Sequence, residues 1–170
     1  MEINGNIINP GENKTLKIRV GKLPSGTSIS IVSHVFRSIN PGKTILLLGG
    51  VHGDEINGIE ILRSAIEKKY FDDLKSGTVI VVPVLNIFGF INYNRDVNNG
   101  KDLNRSFPGS ENGSLAARVA KKFTNFFLLH ADIVIDFHTG GDTRYNFPQI
   151  RYSQKDKDAF ELAKVFNPLL

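Results

Sequence analysis

The 170-residue sequence predicts one α/β domain: a mostly parallel or mixed sheet with helices on both faces, preceded by a short N-terminal β segment. Three observations carry this expectation. Continuous apolar runs, TILLL in residues 44–48, TVIVV in 78–82 and DIVIDFH in 132–138, suit strands buried on both faces. The segments between them place apolar residues at three- and four-residue spacing, as an amphipathic helix requires. Strand, helix, strand in this order implies right-handed crossovers and parallel pairing.

Taken in order, residues 1–42 read as peripheral strands. TLKIRV and SISIVSHVF alternate apolar and polar residues and are punctuated by LPSGTS and NPGK. The α/β core then occupies residues 43–170. Its first strand runs into a helix within EINGIEILRSAIEKKYFDDL, where Ile59, Leu62, Ile66 and Tyr70 form the buried stripe. The second strand, TVIVVPVLN, ends near Asn86. Residues 87–113 are polar and rich in Asn and Gly, so they read as a long loop of the kind that carries function. Ser114 is placed to cap the helix SLAARVAKKFTNFFLLH, with Leu115, Val119, Phe123, Phe126 and Phe127 inward. The third strand DIVIDFH leads into the loop TGGDTRYNFPQIRYS, and KDKDAFELAKVF forms the last helix. A crossover helix normally delivers another strand, yet the sequence stops at NPLL, so the C-terminal part of the domain is expected to be missing.

Composition narrows the chemistry. With no cysteine there is no disulfide framework, and any metal must be held by His and carboxylates. Twenty-one basic residues against 17 acidic ones give a net charge of +4, but they are scattered and not interleaved with exposed aromatics. That pattern argues against a nucleic-acid partner and is compatible with a small anionic substrate. No apolar run approaches the roughly 20 residues of a membrane span, and MEINGNIINPGENK does not have the form of a signal peptide. The expectation is a cytoplasmic protein without a membrane partner. The sequence leaves a homo-oligomer open.

Ligands of open α/β sheets sit at the carboxyl ends of the strands, and here all three ends carry capable side chains. The first holds His52 and Glu55, the second leads to Arg95, Asp102, Asn104 and Arg105, and the third holds Asp136 and His138. His52 and Glu55 stand three apart where a turn enters a helix, so both can face one point. A second histidine, His138, would complete a site of two histidines and one carboxylate, the ligand set of catalytic zinc with a fourth position open to water. Asp102 could accept the remaining N–H of a ligating histidine, and Asn104 with Arg105 could hold a substrate carboxylate. Asp136 shares a strand face with His138 and could serve likewise or simply accept from a backbone donor. Asp54 is expected to face solvent or cap the helix. Each of these residues also has a purely structural reading, which is the one assigned to His34 and His130. A phosphate cradle at GGVHGDE is disfavoured by its two carboxylates.

GGVHGDE, DLNRSFPG and DFHTGG, in this order, resemble the zinc carboxypeptidase superfamily and within it the succinylglutamate desuccinylase/aspartoacylase family. The resemblance covers nearly the whole chain, most firmly residues 43–149. It implies one Zn2+ held by His52, Glu55 and His138, a supporting role for Asp102, and recognition of a substrate carboxylate by Asn104 and Arg105. It further implies hydrolysis of an amide of an N-acyl amino acid or similar small carboxylate, by water activated at the metal. Where the family has Asn-Pro-Arg this sequence has Asn86-Ile-Phe88, which leaves Arg95 as the candidate to polarise the scissile carbonyl. The family's general-base glutamate is expected on a later strand that this chain does not contain, since Glu161 belongs to the final helix, so the 170 residues alone are expected to be inactive. Two alternatives stay open: a metallocarboxypeptidase acting on peptides, and a non-catalytic module that binds a metal or a carboxylate.

Overall fold

The computed structural model of the protein describes residues 1–98, 100–142 and 144–166. A two-strand hairpin, β1 (Glu2–Ile3) and β2 (Asn6–Ile7), precedes a five-stranded sheet. The sheet strands are β3 (Asn13–Lys22), β4 (Ser28–Arg37), β5 (Thr44–Leu48), β6 (Thr78–Val82) and β7 (Ile133–Asp136), in the order β3-β4-β6-β5-β7. β5 pairs in parallel with both β6 and β7, whereas β4 is antiparallel to β3 and β6. The sheet is therefore mixed. Residues 13–37 do not build a separate peripheral layer: their two ten-residue strands are the outer part of the same sheet.

Helices α1 (Ile56–Glu67), α2 (Ile87–Ile91), α3 (Leu115–Phe126) and α4 (Lys157–Phe166) complete the elements. The pleat sends alternate residues to opposite faces. Leu46, Leu48, Ile80 and Val82 pack with Val119, Ala120 and Phe123 of α3. Leu47, Val79 and Val81 pack with Leu62 and Ile66 of α1 on the other face. Topology explains the split. The chain moves from β5 to β6 in one direction and from β6 back past β5 to β7 in the other, so right-handed crossovers put α1 and α3 on opposite faces.

Several elements differ from the sequence expectation. The first helix ends at Glu67, not beyond Tyr70, because Lys69 adopts a left-handed conformation with φ 58°. Its N–H donates to Ile66 O and that of Tyr70 to Ala65 O, the paired bonds that close a helix C-terminus, and Tyr70 is left exposed. β7 is not buried on both faces: its residues alternate, and Val134 is 45% exposed. Residues 87–113 are not an unstructured loop, since they contain α2, a bridge between Val97 and Lys101 and a 3-10 turn at Leu103–Arg105. The Ser114 cap is as expected, its Oγ accepting from Ala117 N–H at 3.2 Å. No helix among the described residues is long and apolar enough to cross a membrane. The terminal NPLL, on which the expectation of a missing portion rests, lies outside the described residues.

Candidate metal centre

The carboxyl end of β5 is tied to both neighbours. Gly49 N–H donates to Val82 O at 3.0 Å, and Phe137 N–H donates to Leu48 O at 2.8 Å. These ladder bonds bring the turn after β5 level with the end of β7. Gly50 sits at φ 58°, a conformation glycine adopts without a Cβ penalty. Gly53 meets a different demand: a Cβ there would run into the backbone of Gly89 and Phe90. The glycines around His52 thus serve a left-handed turn and a close chain contact.

His52 and Glu55 emerge from this turn almost fully buried, at 2% and 3% exposure. Glu55 is the residue at which α1 begins, and its side chain makes no capping bond, so both oxygens point into the site. Its Oε1 lies 2.8 Å from His52 Nδ1 and its Oε2 lies 3.0 Å from His138 Nδ1. Thr139 N–H also donates to Oε2, at 2.8 Å. The two imidazole rings are 4.9 Å apart between centroids. One donor atom from each of His52, Glu55 and His138 falls within 4.8 Å of the others, which is the size of a cage for one ion.

Each histidine presents Nδ1 inward and directs Nε2 to an aspartate. His52 Nε2 lies 3.3 Å from Asp102 Oδ1, and His138 Nε2 lies 2.8 Å from Asp136 Oδ2. Arg95 reaches into the same cluster, with Nη1 3.4 Å from Glu55 Oε1 and Nη2 3.1 Å from Asp102 Oδ2. Asp102 in addition accepts Asn104 N–H at 2.8 Å, which caps the turn carrying Asn104 and Arg105. Those two side chains are exposed beside the cluster, and among the described residues neither makes an ion pair.

The electrostatics fit a cation. Glu55, Asp102 and Asp136 place three formal negative charges against the single guanidinium of Arg95. Burial alone would raise the Glu55 pKa, but hydrogen bonds from His138, His52 and Thr139 N–H outweigh it and hold the carboxyl well below its usual range. Asp102 is likewise lowered, burial being outweighed by the Asn104 N–H and Arg95. His138 is pushed up to about 10, first by Asp136 and then by Glu55. Two imidazole nitrogens and a carboxylate with no thiolate are the donor set of zinc sites that keep a position for water.

Of the residues singled out in the sequence, His52, Glu55, Arg95, Asp102, Asp136 and His138 meet in one bonded cluster, with Asn104 and Arg105 at its edge. Asp54 neither faces solvent freely nor caps α1: among the described residues its buried Oδ1 has no hydrogen-bond partner, and the carboxylate packs against Gly141. His34 bonds Thr15 Oγ1 on the sheet, and His130 ends a 3-10 turn at Leu128–His130. Glu161 is exposed on α4 and pairs with Lys164. Asn86 was missed. It is 1% exposed, its Oδ1 accepts from Gly89 N–H at 2.8 Å, and its Nδ2 donates to Arg95 O at 3.1 Å, so it fixes the backbone from which Arg95 reaches the cluster. An Asn three residues before a glycine, ahead of the short apolar IFGFI, is the capping signal that could have found it.

Comparison with known proteins gives the family. A family model described as the succinylglutamate desuccinylase/aspartoacylase catalytic domain matches residues 41–170. Over 131 residues the sequence is 36% identical to an N-alpha-acetyl-L-2,4-diaminobutyric acid deacetylase of Halomonas elongata, covering 74% of this chain and 38% of that protein. A succinylglutamate desuccinylase/aspartoacylase from Rhodobacter sphaeroides superposes with a TM-score of 0.70 at 28% identity, over 83% of this chain and 43% of that one. The ectoine utilization protein of Ruegeria pomeroyi, solved with product bound, gives a TM-score of 0.66 at 31% identity, over 75% and 40%. The chain spans about two fifths of the length of these relatives.

Proposed function

Because the chain belongs to the succinylglutamate desuccinylase/aspartoacylase family, we propose that it forms the zinc-binding part of a hydrolase cleaving the amide bond of an N-acyl amino acid or a similar small carboxylate. The observation that carries this reading is the cage of buried His52 and Glu55 with the more exposed His138, whose donor atoms lie within 4.8 Å of one another. A zinc ion there would lower the pKa of water and polarise the scissile carbonyl.

The chain's own residues divide the remaining work. Asp102 and Asp136 accept the Nε2 protons, which leaves the Nδ1 lone pairs of His52 and His138 for the metal. Thr139 N–H and Arg95 hold the Glu55 carboxylate in place. Arg95, half exposed and already aimed at the metal side of the cluster, donates to the developing negative charge on the carbonyl oxygen. Asn104 and Arg105 bind the substrate carboxylate, Arg105 through a two-pronged contact. The capping bond from Asn104 N–H to Asp102 links this grip to the His52 end of the cage. Glu55, Asp102 and Asp136 are all committed to the histidines, so the proton acceptor for the attacking water is proposed to be a further group, outside these 170 residues.

Deacylation is preferred to peptide trimming because one relative is named as a deacetylase of N-alpha-acetyl-L-2,4-diaminobutyric acid and another as a succinylglutamate desuccinylase/aspartoacylase. The test is zinc content of the purified protein by mass spectrometry, beside acid release from N-acetyl and N-succinyl amino acids by the chain and by a form extended to the relatives' length. Stoichiometric zinc that disappears in His52→Ala is expected. Unchanged zinc content in that variant would remove the basis of the reading.

A further inference from the structure

We propose that Asp136 is the positioning residue of His138, fixing the tautomer and ring angle with which that histidine meets the metal. The inference rests on the metal-centre reading above. The two histidines of the cage are held by different means. His52 is 2% exposed, so surrounding atoms fix its ring, while the His138 side chain is 33% exposed and its ring meets that of His52 at 4.9 Å between centroids. Its orientation depends more on hydrogen bonds, and it has two: Glu55 Oε2 at Nδ1 and Asp136 Oδ2 at Nε2.

When Nδ1 gives its lone pair to a metal, the bond to Glu55 is surrendered and Asp136 alone remains. A carboxylate is an acceptor only, so it selects the imidazole that carries its proton on Nε2. The two aspartates also differ. Asp102 divides its oxygens among His52 at 3.3 Å, Arg95 at 3.1 Å and Asn104 N–H at 2.8 Å. Asp136 makes the shorter contact, 2.8 Å, and among the described residues has no other side-chain hydrogen bond. Its backbone is set by the β7 ladder, in register with Leu48, and its i, i+2 relation to His138 points both side chains to one face. Asp136 is dedicated to His138 in a way that Asp102 is not dedicated to His52.

The experiment measures zinc affinity by competition with a chromophoric chelator, on the metal-free chain titrated with zinc alone. Asp136→Ala and Asp136→Ser, both too short to reach Nε2, are expected to weaken binding by about 10- to 100-fold, and Asp136→Asn, whose amide oxygen can still accept the proton, by clearly less. Nitrogen NMR of the zinc-loaded protein should show His138 protonated on Nε2 in the wild type and in Asp136→Asn. Wild-type affinity in the folded Ala or Ser variant, with zinc binding abolished in His52→Ala, overturns the role of Asp136 and leaves the metal centre standing. Binding that survives His52→Ala and Glu55→Ala as well overturns both.

Discussion

Replacing Asn86 by alanine tests how the arginine side of the site is held. The side chain is 1% exposed and joins two backbone groups, the N–H of Gly89 and the carbonyl of Arg95, at 2.8 and 3.1 Å. Truncation removes the cap of α2, worth about 1 kcal/mol. It also leaves the Arg95 carbonyl, an acceptor, without its Nδ2 donor, at about 1–3 kcal/mol. The sum is about 2–4 kcal/mol, a large part of the roughly 5–15 kcal/mol that holds a domain together. With a urea slope of about 1–3 kcal/mol per molar, the unfolding midpoint should fall by roughly 1 M or more at unchanged slope. Asn86→Asp separates the two bonds, since it keeps the acceptor for Gly89 but turns an oxygen toward the Arg95 carbonyl, so it should also be destabilised. The metal cage does not include Asn86, so zinc should still bind both variants, while the KM of an extended, active form rises. A stability loss below about 1 kcal/mol for Asn86→Ala would refute the claim that this side chain anchors the Arg95 segment.

Three further outcomes are expected. Zinc at a free concentration a hundred times its dissociation constant should stabilise the chain by about 2.7 kcal/mol, read as a rise in melting temperature that a chelator reverses and that Glu55→Ala lacks. Ser33→Ala should leave stability unchanged or raise it by up to about 1 kcal/mol, because the Ser33 hydroxyl is buried with no hydrogen-bond partner among the described residues; a clear loss would show that the hydroxyl is paired. His34 is held below its ordinary pKa by burial, so the unfolded chain binds its proton first as pH falls. Its contribution is intact above the unfolded value near 6.5 and is lost as pH drops through that value toward the lower folded one. His34→Gln should flatten the fall of denaturation midpoint between about pH 7 and 5, and an unchanged slope would contradict the burial argument.

What the sequence reveals depends on whether a signal is carried by side chains or by backbone. The runs at 44–48 and 78–82 announce strands because their composition alone fits burial, and Ser114 announces a helix start because its hydroxyl makes the capping bond. The stop of α1 is not legible: Tyr70 continues the apolar spacing, and nothing in the identity of Lys69 signals a left-handed turn. The exposure of β7 is hidden for another reason, since IVI has the same composition whether the strand is central or at an edge. At the candidate site, the histidines and carboxylates can be listed from strand ends, but not which pairs touch. The bond from Thr139 N–H to Glu55 has no sequence signature, because every residue but proline carries that donor. Asp54 was misread because its burial follows from the packing of Gly141 beside it, 87 residues away in sequence.

The parts of the site differ in how rigidly they are mounted, and this separates their effects. His52 follows β5 by four residues and His138 follows β7 by two, both just past backbone bonds that lock the strands together. Glu55 begins α1, whose Leu62 is buried against the sheet. The three candidate metal donors therefore stand at the ends of paired strands and at the start of a packed helix, where a displacement costs ladder bonds and core contacts together. Arg95, Asn104 and Arg105 stand on the segment after β6, held by Asn86, one bridge and a single 3-10 turn. The segment is also tied to the turn carrying His52, through Gly53 N–H to Asn94 O at 3.1 Å, and to the core through Val97 and Leu103, so only its exposed side chains can change without touching the donors. The geometry thus requires that changes to the strand ends and to Asp102, which meets His52, act on metal affinity, and that changes at Asn104 and Arg105 act on substrate binding while the metal stays in place.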